Sequence, residues 1–381
     1  MIFFALLAGP LALGITHRLP HELAGVETPV PDPVLSWPAW RDGTFQRDFA
    51  NWYARNHGLR GQLVRTANQL EFSLFRQITR KGENHIVLTK DGGLAEESYI
   101  LTQFALDALP DEQLDAFATR LRSLQDFLQA HGVSFLFLIT PSKCSIYPEF
   151  IPDEYRVYGI PAQLARPTPG AFPDGPPDPL AGSSNYRRLV PLLARHGVHT
   201  LDAHQMTRDL KATEACRVFP KGGTHWNSYV ALLVTQELLR RAETLSPGKH
   251  FPTLHIDSID ISTEPYGTDG DLAKVANLWH PEAFYTPNPY PVVTGLVPYN
   301  ATPPNFLLVG GSFSLQPLYW MTATGTVNPA TDFYWYFYQK EIADLNREVL
   351  SRDCVILECN ETAIPQQGFG FIEAVLEAGR P

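Results

Sequence analysis

The alternation of apolar and polar positions divides the chain into helices and short apolar runs. From Phe45 to Gln77 apolar side chains recur at helical spacing (Phe49, Trp52, Tyr53, Leu59, Leu63, Leu70, Phe75), which predicts helix. Asp111 to His131 predicts a second amphipathic helix, with Leu114, Phe117, Leu121, Leu124 and Leu128 on one face and Gly132 as its stop. VSFLFLITP follows at once, an uninterrupted apolar run of the kind expected of a strand covered on both faces. The pattern then repeats. A helix from Tyr186 to His196 leads into the strand VHTLDAH, and the helix SYVALLVTQELLRRAE precedes the strand NFLLVGGSFS. The helix EIADLNREVLSRD leads into a last strand, CVILECNE. Helices alternating with fully apolar strands predict an α/β fold with a mainly parallel central sheet covered on both sides.

Two segments break this rhythm. Met1 to Thr16 is apolar and uncharged, and it reads as a signal or membrane-anchor helix, slightly short for a span of roughly 17–25 residues. The alternative is a buried core helix. Residues 17–40 are Pro-rich and irregular, as a linker leaving a membrane would be, so 41–381 form the folded domain. A second Pro/Gly stretch, Ala165 to Gly182, is too long for a plain connection and reads as a flap or mobile loop.

Composition narrows the function. With 44% hydrophobic and 18% charged residues the chain is globular, and its net charge of −10 argues against a nucleic-acid partner. The four cysteines form no C-x-x-C pair, and no histidine spacing suggests zinc, so neither a metal nor another cofactor is expected. Cys354 and Cys359 fall on opposite faces of their strand. Cys144 and Cys216 either pair or remain free thiols.

In open parallel sheets the chemistry gathers beyond the carboxyl ends of the strands. Those ends deliver Lys143 after VSFLFLIT, Asp202 after VHTL, and Ser312 in the turn G-G-S-F-S after FLLV. A nucleophilic serine needs a tight turn that exposes its oxygen to backbone N–H groups, and preceding glycines permit one; a plain turn is the competing reading. His225 lies just before a helix for which Asn227 is a suitable N-cap. It is a candidate general base or else a capping histidine, and Trp226 beside it is core or a platform for a sugar ring.

T-H-W-N before a helix, followed by a strand-borne G-x-S-F-S, resembles the alginate O-acetyltransferase family (AlgJ/AlgX type), SGNH-hydrolase-like enzymes that acetylate exopolysaccharides. NWYARNHGLRGQLVRTANQLEFSLF, KGENHIVLTKDG, LFLITPSKCSIYPEFIP, SSNYRRLVPLLARHGVHTLDAH, GTDGDLAK and VILECNE fall in the family's order along most of the chain. The resemblance implies an SGNH-like three-layer sandwich and an acetyl-serine route. In it Ser312 attacks, His225 takes the proton, backbone amides of Gly311 and Ser312 hold the oxyanion, and a sugar hydroxyl accepts the acetyl group. Lys143 and Tyr147 are candidates to contact an acidic polymer or to fix the site loop, the plain alternative being a surface lysine and a half-buried tyrosine; Trp226 and Asn227 are further candidates for substrate contact. The partners implied are an exported polysaccharide, a multi-pass membrane acyltransferase (MBOAT type) and the inner membrane, with a periplasmic location.

Two departures bear on this. The family's D-x-H-W has an acid two residues before the histidine, where this chain has Gly223, and His85, Ile86 and Val87 replace the family's W-L-F. Loss of the orienting acid costs orders of magnitude unless another carboxylate substitutes, and the candidates are Asp202 and Asp271. Three readings therefore stand: an O-acetyltransferase, a carbohydrate acetylesterase with the same site, or an inactive polysaccharide-binding scaffold.

Overall fold

The computed structural model describes residues 2–16, 22–25, 30–78, 85–158, 184–335 and 348–378. The expected flap at 165–182 and most of the expected helix EIADLNREVLSRD lie outside them.

Five parallel strands form the central sheet in the order β4-β3-β9-β7-β8. They are β3 (Ser134–Thr140), β4 (Thr200–Asp202), β7 (Phe306–Gly310), β8 (Asp332–Trp335) and β9 (Cys354–Asn360). The small antiparallel pair β1 (Ile86–Leu88) and β2 (Leu94–Glu96) stands apart, as does the hairpin of β5 (Thr253–Ser262) and β6 (Asn288–Leu296).

Successive side chains of a strand face opposite ways, so each central strand feeds two cores. Phe135, Phe137 and Ile139 of β3 join Val355 and Leu357 of β9 against α6 (Asp111–Ala130), α8 (Asn185–His196) and α13 (Phe371–Ala378). Leu136, Leu138, Cys354 and Ile356 point the other way, against α10 (Ser228–Thr244) and α12 (Leu315–Ala323). Every residue of β3 and β9 is buried, which is why both runs read as apolar sequence, interrupted in β9 only by Glu358 and the terminal Asn360. Cys354 and Cys359 do lie on opposite faces, and all four cysteines are free thiols.

Elsewhere the structure redraws the expected boundaries. The helix expected over 45–77 is two helices, α3 (Thr44–Asn56) and α4 (Arg60–Phe75). They part at Gly58, whose N–H donates to the Pro10 carbonyl at 2.9 Å. VHTLDAH contributes only three strand residues before Asp202 caps α9 (Ala203–Thr213) by accepting from Gln205 N–H. Irregular chain gives way to α2 (Trp37–Asp42) before residue 40.

The membrane-anchor expectation finds no support in the described residues. The apolar N-terminal segment forms α1 (Ile2–Ile15), 14 residues long and so about 21 Å, against the ~30 Å of a bilayer core. It packs on the chain at Asn56–Gly58. Among the described residues no helix is long and apolar enough to cross a membrane.

Candidate active site

The site lies at the carboxyl edge of the sheet, where β7 ends. Gly310 closes β7 against β9 so tightly that a Cβ there would stand 2.7 Å from the Cβ of Glu358, and only glycine fits. The chain then turns through a single 3-10 turn, Ser312–Ser314, directly into α12. Phe313 and Ser314 are buried, while Ser312 keeps partial exposure at the start of this helical run. An amide in the first turn of a helix has no intrahelical acceptor, which makes the Ser312 N–H a candidate donor to an oxyanion.

His225 arrives from the loop before α10. Asn227 caps that helix by accepting from Val230 N–H at 2.8 Å, and its own amide donates to the Arg217 carbonyl. Trp226 is fully buried, edge-on to Phe313 with ring centroids 5.2 Å apart, and Phe313 also lies 4.7 Å from the His225 ring. The imidazole thereby rests against the buried Phe313 ring at 7% exposure.

Its two nitrogens are both engaged. Nε2 lies 2.7 Å from Ser312 Oγ, and Nδ1 lies 2.7 Å from Asp271 Oδ2. A carboxylate only accepts, so Nδ1 carries the proton and Nε2 is left to accept from the serine hydroxyl. Asp271 opens the short helix α11 (Asp271–Val275), and its other oxygen accepts from Thr224 N–H at 2.8 Å and Leu272 N–H at 2.7 Å. Serine, imidazole and carboxylate thus stand in one hydrogen-bonded line, the arrangement that activates a hydroxyl for acyl transfer.

Gly223 explains how Asp271 comes to be there. A Cβ at 223 would stand 2.7 Å from the Thr268 carbonyl oxygen and 2.8 Å from that of Asp269. The loop leading to Asp271 therefore occupies the space that a side chain two residues before His225 would need. Absence of the side chain and arrival of the second acid are one packing event.

The remaining candidates fall elsewhere. Asp202 accepts from Tyr186 O–H at 3.0 Å and caps α9; it has no bond to His225 and is not the orienting acid. Gly311 N–H donates to Glu358 Oε2 at 2.7 Å, so it is engaged beneath the turn and does not serve an oxyanion. The four expected substrate contacts are inside the protein. Lys143 on α7 (Lys143–Ile146) gives its protons to the carbonyls of Leu94, Lys221 and Gly223 at 2.7, 2.9 and 2.7 Å, and burial pushes its pKa down to about 7. Tyr147 O–H accepts from Val218 N–H, and its ring lies under Arg217. With Trp226 and Asn227 also buried, all four hold the His225 loop in place, and none faces a polymer.

Three carboxyls around His225 escaped the sequence reading. Glu96 accepts from Thr224 O–H at 2.9 Å, and burial raises its pKa. Asp269 accepts from Tyr290 O–H at 2.6 Å; its other oxygen is buried without a partner, and burial, then the Asp271 charge, pushes its pKa up to about 6. Glu358 accepts from Thr140 O–H at 2.5 Å as well as from Gly311, and burial raises it too. Only Glu358 left a trace in the sequence, as a lone charge in the apolar run CVILECNE. Among the described residues no cluster of metal-ligating side chains occurs.

Residues 99–324, more than half of the chain, match the family described as an SGNH hydrolase-like domain, acetyltransferase AlgX. The chain belongs to this family. Among curated protein sequences nothing matches it. Solved structures similar to this SGNH acetyltransferase domain include the O-acetyltransferase domain of Pseudomonas putida AlgJ, at 20% identity over 74% of this chain and 92% of that one, with a TM-score of 0.42. Pseudomonas aeruginosa AlgX is 15% identical over 76% of this chain and 66% of that one (TM-score 0.43). Bacillus cereus PatB1 is 10% identical over 76% and 99% (TM-score 0.42).

Proposed function

We propose that this SGNH acetyltransferase domain transfers acetyl groups to hydroxyls of an exported polysaccharide through an acetyl-Ser312 intermediate. The observation that carries the reading is the unbroken line Ser312–His225–Asp271, with both contacts at 2.7 Å. Ser312 Oγ attacks the acetyl carbonyl carbon as His225 Nε2 takes its proton. The Ser312 amide meets the developing oxyanion, and Asp271 balances the imidazolium. Collapse expels the donor's leaving group, which takes the proton from His225. A sugar hydroxyl then attacks the acetyl-serine, giving its proton to Nε2, and Ser312 regains a proton as it leaves. A periplasmic setting, beside a multi-pass membrane acyltransferase that supplies acetyl groups, is part of this proposal and is supported by the family resemblance alone.

The scaffold reading rested on Gly223, and the contact of Asp271 with His225 at 2.7 Å favours the enzyme reading over it. Acetyl release from a chromogenic acetyl ester, wild type beside Ser312→Ala, tests the proposal. It requires activity that the variant loses and a peptide bearing Ser312 that gains one acetyl group by mass. A folded but inactive wild type would refute it.

A further inference from the structure

Two exposed tyrosines border this site from its two sides. Tyr319 is seven positions after Ser312 along the helical run into α12, about two turns and hence on the same face, ~10 Å further along. Tyr266 stands five residues before Asp271, on the loop that fills the space beside Gly223. Their phenol groups interact with each other, which raises the pKa of Tyr319. A second bridge, Gln316 Nε2 to Thr268 Oγ1 at 3.2 Å, ties the same two segments. Tyr266 is 64% and Tyr319 50% exposed, and Leu315 between the serine and Tyr319 is 40% exposed. Tyr266 is further propped by Tyr290, whose ring stands edge-on at 6.4 Å and whose hydroxyl accepts from Tyr266 N–H. Single exposed aromatics are ordinary, but a pair joined across the two segments that carry nucleophile and acid forms a fixed ledge.

The charge around the ledge is negative. Asp271 is bonded to His225 and Glu264 is exposed on the Tyr266 loop, while Glu96, Asp269 and Glu358, whose pKa values burial raises, lie buried nearby. The nearby cations are tied down elsewhere: Lys143 on three carbonyls, Lys221 on the Asp91 carbonyl, and Arg217 paired with the Asp91 carboxylate. Against these acids the same segment offers one exposed cation among the described residues, Lys274. Such a field repels an anionic chain.

The geometry points to Tyr266 and Tyr319 as an acceptor platform for a neutral pyranose polymer, on which sugar rings stack while a hydroxyl is presented to Ser312. This rests on the transferase reading for its purpose. The physical basis is independent of it: the C–H face of a pyranose meets the negative face of a phenol ring, and the phenol hydroxyls bond the sugar's own. A polyuronate would bring carboxylates to a site already crowded with them.

Calorimetric titration of the full chain carrying Ser312→Ala, which removes turnover, tests the platform by binding alone. The probes are neutral β-1,4-linked hexasaccharides of glucose and of mannose, beside an oligomannuronate of equal length. A neutral probe should bind at least about tenfold more tightly than the uronate, and Tyr266→Ala and Tyr319→Ala should each weaken it about tenfold. Phe at either position should restore most of the affinity, and Tyr299→Ala, at a fully exposed tyrosine elsewhere, should change nothing. No binding of either neutral probe, tighter binding of the uronate, or indifference to both Ala substitutions would overturn the proposal. Ester hydrolysis by the wild type is read separately, so neutral-sugar binding by a chain that proves inactive would sink the transferase reading and keep the platform.

Discussion

Asp271→Asn is the sharpest perturbation of the site, because the structure dictates which way the amide must face. Oδ1 of Asp271 accepts two backbone N–H groups, from Thr224 and Leu272, and Oδ2 accepts from His225 Nδ1. An asparagine that kept its carbonyl toward the histidine would turn its NH2 against both backbone donors. That loses two hydrogen bonds at about 1 kcal/mol each and adds donor–donor repulsion, so this orientation is disfavoured by about 2–3 kcal/mol. The amide therefore keeps its oxygen on the two N–H groups and presents NH2 to Nδ1. Nδ1 must then accept, the proton moves to Nε2, and the histidine can no longer take the proton of Ser312. The corresponding change in serine hydrolases lowers kcat by about 10⁴, or ~5 kcal/mol of transition-state stabilisation. The assay is kcat and KM for a chromogenic acetyl ester, with Asp202→Asn alongside; that variant should match wild type, since Asp202 serves Tyr186 and the cap of α9. Asp271→Asn within about tenfold of wild type, or equal losses in the two variants, would refute the assignment of Asp271.

Gly223→Asp, which restores the family's D-x-H-W spelling, should not rescue Asp271→Asn. Its Cβ would meet the Thr268 and Asp269 carbonyls, costing about 1–3 kcal/mol of overpacking and more for the added buried charge, read as a lower Tm and lower activity. Asp269 holds its proton more tightly when folded, at about 6 against 3.8, so its contribution to stability falls as pH rises between those values. The shift corresponds to at most about 3 kcal/mol, and Asp269→Asn, which keeps an acceptor for Tyr290, should be more stable than wild type above pH ~6. That advantage should vanish below pH ~4 in denaturant titrations, and a gain independent of pH would contradict the cause given. Lys143→Met removes three charge-assisted bonds from carbonyls that frame the His225 loop. It should cost on the order of 3 kcal/mol and lower ester hydrolysis, with Lys143→Arg a poor substitute because a planar fork cannot reach three convergent oxygens.

Most of the central sheet was written in local pattern. β3, β7 and β9 are buried on both faces, so their apolar runs carry the signal without context. β8 is four residues long, and the β5–β6 hairpin is mostly exposed, so neither left a period to read. The positions of Ser312 and His225 were legible for a similar reason: a glycine-bounded turn after an apolar run, and a histidine just ahead of a capped helix, are local features. The acid was not, because Asp202 and Asp271 both sit at plausible loop positions and only the fold of residues 264–271 decides between them. Lys143 misled because a charged residue at a strand end reads as a contact for substrate, whereas three facing carbonyls draw it inward.

Placing the acid 46 residues from its histidine, on another segment, makes the active site an assembly of separately folded parts. The Asp271 segment rests on a small core of its own, in which Leu272, Ala273 and Ala276 pack with Phe72 of α4, and Asn68 of the same helix donates to the Ala276 carbonyl at 2.9 Å. The proposed triad thereby depends, through α4, on the N-terminal helical layer. Loosening α4 would unseat the acid while the sheet stays whole, so on heating this enzyme should fall silent some degrees before it melts.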